Sequence, residues 1–288
     1  MIFGSRWLEP KLLYFARRYS ESEYSAGKSL LHLKGMSIQP VNYFIDAHLH
    51  QISYLVTSVP LVSERPVRLF VLLGGNAMTA LDWVSWVVEA QDYWDSPEVS
   101  AFLLVEYPGY GASRGIPSPQ SMHESVQGAV LAAVRNLTQL GCRVSSMSIL
   151  GHSIGAAVAL RWVSTMDTQM TPPIHSVVLS APFTSVSDMA SVLFPIIPPF
   201  LARALLTHNW DNKLAMSAFL ASSLKEKIYV VHGTLDEIVP FRMSQEICKV
   251  DKERITHVPV LLADHNNVLG NYQLYTRVLA ESEVTSKL

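Results

Sequence analysis

The sequence predicts an α/β fold, a mostly parallel central sheet flanked by helices, with a small cap insertion. Three observations point there. From Tyr43 onward, short apolar β-rich runs alternate with longer helical patterns. Most of those runs are continuous rather than alternating, as strands buried on both faces require. One proline-broken apolar segment, late in the chain, interrupts the rhythm.

Taken in order, Leu49 to Thr57 reads as an edge strand. Core strands follow at Val67 to Leu73, Ala101 to Glu106, Met147 to Leu150, Ser176 to Leu179, Ile228 to His232 and Val258 to Leu262. Helical patterns between them include Ser121 to Leu140 and Ile154 to Thr165. The segment from Phe183 to Leu224 lies between two strands, is rich in aromatic and aliphatic residues, and reads as a cap over a site. Without internal repeats or a long Gly/Ser/Pro linker, the chain divides into an amino-terminal extension, residues 1–40, and one domain, residues 41–288.

Composition excludes several classes of function. The 22 basic and 24 acidic side chains nearly cancel, so no strong field gathers phosphate backbones, and nucleic acid is not expected as a partner. Two cysteines, Cys142 and Cys248, give neither a metal-ligand spacing nor a disulfide scaffold, and a cytoplasmic setting is the default expectation. No apolar run reaches the ~18 to 20 residues needed to cross a bilayer. The greasiest stretch, Val192 to Leu206, is broken by Pro195, Pro198, Pro199 and Arg203. Near the amino terminus, Trp7, Leu8, Leu12 and Phe15 fall at helical spacing among Arg6, Lys11, Arg17 and Arg18. That pattern allows two readings, a segment packed on the domain or a peripheral membrane contact.

The chemistry centres on Gly151-His152-Ser153-Ile154-Gly155, a G-x-S-x-G between an apolar strand and a small-residue helix. A serine on so sharp a turn is strained and raised above the sheet, and side chains two residues away would collide with the turn. Ser153 is the expected nucleophile. Its hydroxyl needs a base, oriented in turn by an acid, and in this arrangement the acid precedes the histidine in the chain. Asp236 follows the strand Ile228 to His232 on a loop at its carboxyl end, where ligand sites of open α/β sheets lie. His265 follows the last strand in the polar loop Ala263-Asp264-His265-Asn266-Asn267. Other histidines rank below it: His257 is read as preceding that strand, His152 sits in the turn itself, and His232 closes an apolar strand. The developing oxyanion requires backbone donors. Ile154 supplies one at a helix amino end, and Asn76, in the turn Gly74-Gly75-Asn76-Ala77, is expected to supply the second. His48 and His50 lack a third ligand for a metal, and the glycines at 109, 111 and 115 match no nucleotide-binding loop.

At these residues the chain resembles the α/β-hydrolase superfamily, and within it the small-cap subgroup that includes protein depalmitoylases and serine-aminopeptidase-like members. The matching stretches are Gly74-Gly75-Asn76-Ala77, Tyr107-Pro108-Gly109-Tyr110-Gly111-Ala112-Ser113 with Pro117-Ser118, Gly151 to Gly155, Phe183-Thr184-Ser185 with Asp188-Met189, Trp210-Asp211-Asn212, and His232-Gly233-Thr234 with Asp236. The resemblance implies the α/β-hydrolase fold and hydrolysis of esters, thioesters or amides through an acyl-enzyme, with no metal or organic cofactor. The implied substrate is a small molecule or a lipid or acyl-protein. Gly74 stands where the family usually has a histidine, so the oxyanion loop must be held differently. The cysteine cluster that anchors the depalmitoylating relatives is missing from Met1 to Tyr24, which favours a general esterase over palmitoyl-protein hydrolysis. The expectation is a serine hydrolase of carboxylic esters or thioesters. A peptidase or amidase of the same fold, and an inactive hydrolase-fold binding protein, are its alternatives.

Overall fold

The computed structural model describes residues 5–46, 48–59, 66–94, 99–196, 199–222, 224 and 226–280. The apolar runs pair into one eight-stranded sheet, built from β1 (Met36–Ile45), β2 (Leu49–Ser58), β3 (Val67–Leu73), β4 (Val99–Val105), β5 (Val144–His152), β6 (Ile174–Ser180), β7 (Ile228–Gly233) and β8 (Ile255–Val260). Their spatial order is β1-β2-β4-β3-β5-β6-β7-β8; the β1–β2 and β2–β4 pairs are antiparallel and the rest parallel. Alternate residues of β3 feed two cores. Leu69, Val71 and Leu73 face a layer with α4 (Pro119–Gln139) and α5 (Ile154–Val163), whereas Phe70 and Leu72 face α3 (Trp83–Gln91) and α10 (Tyr272–Ala280). Both faces of β3 are therefore apolar, which is why it reads as a continuous run.

Helix α4 starts where Ser118 accepts from the Ser121 amide and Pro119 occupies the first turn. Its Val126, Ala129, Val130, Ala133 and Leu137 form one stripe, all buried. Helix α5 is buried from Ile154 through Leu160, because α4 lies to one side and α8 (Asn212–Ala221) to another. The cap comprises α6 (Val186–Leu193), α7 (Pro199–Leu205) and α8, inserted between β6 and β7. Its root is stitched by Val186 N–H to Trp210 O at 3.0 Å and Asn212 N–H to Thr184 O at 2.9 Å.

The structure shifts two expected boundaries, and the expected edge strand, β2, lies inside the sheet because β1 pairs along its outer side. β1 begins at Met36, inside the expected extension, and carries Pro40; an edge strand tolerates that proline because one side of it needs no ladder partner. Only one face of β1 is buried, so its alternating pattern escapes a search for continuous runs. β8 ends at Val260 and contains His257, which therefore lies within the strand. Leu262 then adopts φ 60°, a left-handed turn that swings the chain towards His265. Before the sheet come α1 (Ser5–Leu13) and α2 (Glu21–Leu33), the latter opened by a Ser20–Glu23 capping box. The side chains of Trp7 and Leu8 lie outside the described set. Among the described residues no helix is long and apolar enough to cross a membrane.

Packing against backbone is tight at Gly155, where an added Cβ would lie 2.2 Å from Leu73 O and 2.7 Å from Gly74 O. Gly155→Ala should therefore lower stability by about 1–3 kcal/mol or more, since backbone cannot yield as a side chain would. Urea unfolding monitored by fluorescence will measure it, and an unchanged midpoint would refute the packing argument.

Candidate active site

At the carboxyl end of β5 the chain turns into α5 within one residue. Ser153 sits at φ 54° and ψ −115°, a conformation that costs a non-glycine residue on the order of 1–3 kcal/mol. The turn is held open by its neighbours. An added Cβ at Gly151 would lie 2.3 Å from Gly155 O, and the Ser153 amide donates to Ser180 O at 2.8 Å. His152 points into the domain and is 3% exposed, its Nδ1 lying 3.1 Å from Ser180 Oγ. Burial, reinforced by the neighbouring His265, pushes its pKa down to about 3, so His152 is neutral.

Asp236 and His265 come together from loops 29 positions apart in sequence. His265 Nδ1–H donates to Asp236 Oδ2 at 2.7 Å, which fixes the tautomer and leaves Nε2 as a lone pair. The His265 ring packs on that of His152, the residue before Ser153, with centroids 4.8 Å apart. Among the described residues the Ser153 hydroxyl makes no hydrogen bond, as is common before substrate draws nucleophile and base together. Asp236 Oδ1 accepts the amides of Ile238 at 2.9 Å and Val239 at 2.7 Å. Burial alone would raise the Asp236 pKa, but hydrogen bonds from His232 and His265 outweigh it and hold the carboxylate well below its usual range.

His232 is the residue that sequence reasoning passed over. Fully buried, it places Nε2 3.1 Å from Asp236 Oδ2 and 3.0 Å from Val239 O, supporting the acid from beneath. Its place at the end of β7, four residues before Asp236, was the available signal.

The loop after β3 lies against the elbow: an added Cβ at Gly75 would sit 2.9 Å from His152 Cδ2 and 3.5 Å from Ser153 Cβ. Asn76 follows directly. Among the described residues, neither its amide nor that of Ile154 donates a hydrogen bond within the protein, so both candidate oxyanion donors are free. In the motif after β4, the Tyr107 hydroxyl donates to Gly74 O at 3.1 Å and the Tyr110 hydroxyl to Asn76 Oδ1 at 2.9 Å. Glu106, 1% exposed, receives the Ala80 amide at 3.2 Å. Burial raises its pKa to about 8, against the lowering effect of the Ala80 amide, so it is protonated at neutral pH. A cavity of about 490 Å³ opens elsewhere, between α4, α5 and the cap, lined by Gln120, His123, Arg161 and Trp210. Ser153, Asp236 and His265 do not line it.

Residues 70–277 match the alpha/beta hydrolase family, and the chain belongs to it. Among curated relatives, an uncharacterized protein of Mycobacterium tuberculosis is 30% identical over 166 residues, 57% of this chain and 53% of that protein. The alpha/beta hydrolase domain-containing protein WAV2 of Arabidopsis thaliana is 28% identical over 143 residues, 48% and 44% of the two chains. The chain thus spans about half the length of these relatives. Among solved structures, an esterase of Pyrococcus furiosus superposes with TM-score 0.62 at 13% identity, covering 93% of this chain and 94% of that one. An alpha-beta hydrolase of Vibrio vulnificus gives 0.64 at 16% identity, covering 90% and 86%. At these identities the likeness is one of fold.

Two outcomes follow from the buried groups. Unfolded Glu106 ionises near about 4.3, whereas the folded group does so at about 8. Below the first value no penalty applies; between the two, folding must retain a proton that the unfolded chain has lost, so stability falls as pH rises. Glu106→Gln should flatten the decline of Tm between about pH 5 and 8, and calorimetry giving parallel curves for both proteins would contradict the assignment. His232→Leu removes one donor to Asp236 and should lower stability by about 1–3 kcal/mol. His232→Gln, which keeps a donor at that distance, should recover part of the loss in denaturant titrations; equal losses would show that the hydrogen bond is immaterial.

Proposed function

We propose that the chain is a serine hydrolase cleaving carboxylic ester or thioester bonds through an acyl-enzyme. The observation that carries this reading is the Asp236–His265 pair, 2.7 Å apart, its imidazole packed on His152, the neighbour of a serine with a strained backbone at a strand-to-helix turn. His265 Nε2 takes the Ser153 proton as Oγ attacks the acyl carbonyl carbon. Asp236 remains ionised and stabilises the imidazolium that forms. The Asn76 and Ile154 amides receive the oxyanion. Collapse of the tetrahedral intermediate breaks the bond to the alkoxide or thiolate, which leaves with the proton from His265. Water, deprotonated by His265, attacks the acyl-enzyme, and a second collapse releases the acid and returns the proton to Ser153. Each half-reaction uses the same three side chains, with Ser153 the nucleophile in the first and the leaving group in the second.

Apolar side chains exposed around this end of the sheet support an acyl substrate. Phe194 and Phe200 in the cap are 60% and 75% exposed, and Leu261 and Leu262, just before His265, are 79% and 78% exposed. Water pays an entropic penalty at such surfaces that a hydrocarbon chain relieves.

Fluorophosphonate labelling of the wild type beside Ser153→Ala, with the labelled peptide located by mass spectrometry, tests the reading. Labelling confined to Ser153, with turnover of p-nitrophenyl acyl esters lowered by at least about a thousandfold in the variant, is expected. Retained turnover by folded Ser153→Ala would overturn it. Parallel assays on amino-acid amides separate ester from amide cleavage.

A further inference from the structure

The segment from Glu9 to Tyr19 precedes residues 70–277, the span shared with the family, yet it grips two parts of the site at once. Its first half holds the cap. The Glu9 carboxylate, 6% exposed, accepts the Thr207 amide at 2.8 Å and the His208 amide at 2.7 Å, as well as the Thr207 hydroxyl. The Tyr14 hydroxyl accepts the Trp210 indole N–H at 3.1 Å and lies 3.2 Å from His208 Nδ1.

Its second half holds the loop after β3. The Asn76 side chain is wholly engaged: Oδ1 accepts the Phe15 amide at 2.9 Å along with the Tyr110 hydroxyl, and Nδ2 donates to Leu13 O at 2.9 Å. The Arg17 guanidinium meets both Asp82 oxygens, at 2.7 and 2.6 Å, and reaches Ala77 O at 3.4 Å. Asp82 in turn accepts the Thr79 amide at 2.7 Å. Between these anchors Ala77 sits at φ 66°, a left-handed conformation that an alanine keeps only when its surroundings impose it. Within the loop itself the restraints are a single backbone turn, the Met78 amide on Gly75 O at 3.1 Å, and the Gly75 amide on Met78 Sδ at 3.1 Å.

We propose that the amino-terminal segment is a strap whose Arg17 acts as a positioning residue, holding the loop so that the Asn76 amide faces the oxyanion. The proposal rests on the serine-hydrolase reading. It assigns the segment to the catalytic apparatus and explains how the loop keeps its shape with Gly74 in place of a histidine. Because the oxyanion forms only in the transition state, loosening the strap should act on kcat and spare KM.

The test compares wild type with Arg17→Ala, Arg17→Lys and Lys34→Ala, the last breaking an exposed pair with Asp92 on the far side of α2. On p-nitrophenyl butyrate, Arg17→Ala should lose about tenfold to a hundredfold in kcat with KM changed less than about threefold. Arg17→Lys, which keeps the charge but not the forked geometry, should fall between. Lys34→Ala should match wild type. Hydrogen exchange should accelerate over residues 74–79 in Arg17→Ala and stay unchanged in the core strands. Wild-type kcat together with wild-type exchange in that loop would overturn the proposal, as would a loss accompanied by faster exchange across the whole sheet. Wild type that neither labels nor turns over would sink the hydrolase reading instead, while the exchange comparison would still decide whether the strap holds the loop.

Discussion

The backbone of Ser153, at φ 54° and ψ −115°, is the constraint around which the carboxyl edge of the sheet is arranged. Strain of this kind persists only where neighbouring structure over-determines it. Here Gly151 and Gly155 lie too close to backbone to carry a Cβ, and the Ser153 amide is tied to Ser180 O. That bond makes the turn depend on β6, whose parallel register with β5 runs as far as His152 and Ser180. The same geometry drives His152 inward, against Ser180 and Gly75. A neutral ring there gives His265 a surface to rest on without adding charge. The position of the candidate base is thus partly a consequence of the strain at the nucleophile.

Two buried acids near this edge meet opposite fates, and the difference lies in their donors. Asp236 receives two imidazoles and two amides, enough to outweigh desolvation and keep it ionised. Glu106 receives chiefly one amide, and desolvation wins. The outcome suits their places. An ionised Asp236 can orient and stabilise an imidazolium, while on the proposed serine-hydrolase reading a second fixed negative charge under the loop after β3 would oppose the charge developing there. Neutral Glu106 anchors the Ala80 amide without that penalty.

Much of this was legible in the sequence for physical reasons. Strands buried on both faces leave continuous apolar runs, so β3 to β7 fell where the pattern put them, whereas β1, buried on one face and carrying Pro40, did not. The elbow announced itself because only glycine fits at 151 and 155. Asp236 and His265 could be named from chain order and loop position. His232 was marked only by its place four residues before Asp236, and a histidine at the end of an apolar strand looks the same whether it packs or donates. The engagement of Asn76 by Leu13 and Phe15 left no trace at all, because the strap contributes backbone groups there and backbone groups carry no sequence signature.

Ser153, Asp236 and His265 all follow the carboxyl ends of sheet strands, β5, β7 and β8. The loop after β3 takes contacts from Leu13, Phe15 and Arg17, which precede the span that matches the family. A displacement of an oxyanion donor by as little as ~1 Å costs about a hundredfold in rate. The same segment reaches the cap through Glu9 and Tyr14, so in the strap proposal a shift of the cap is mechanically linked to the Asn76 amide.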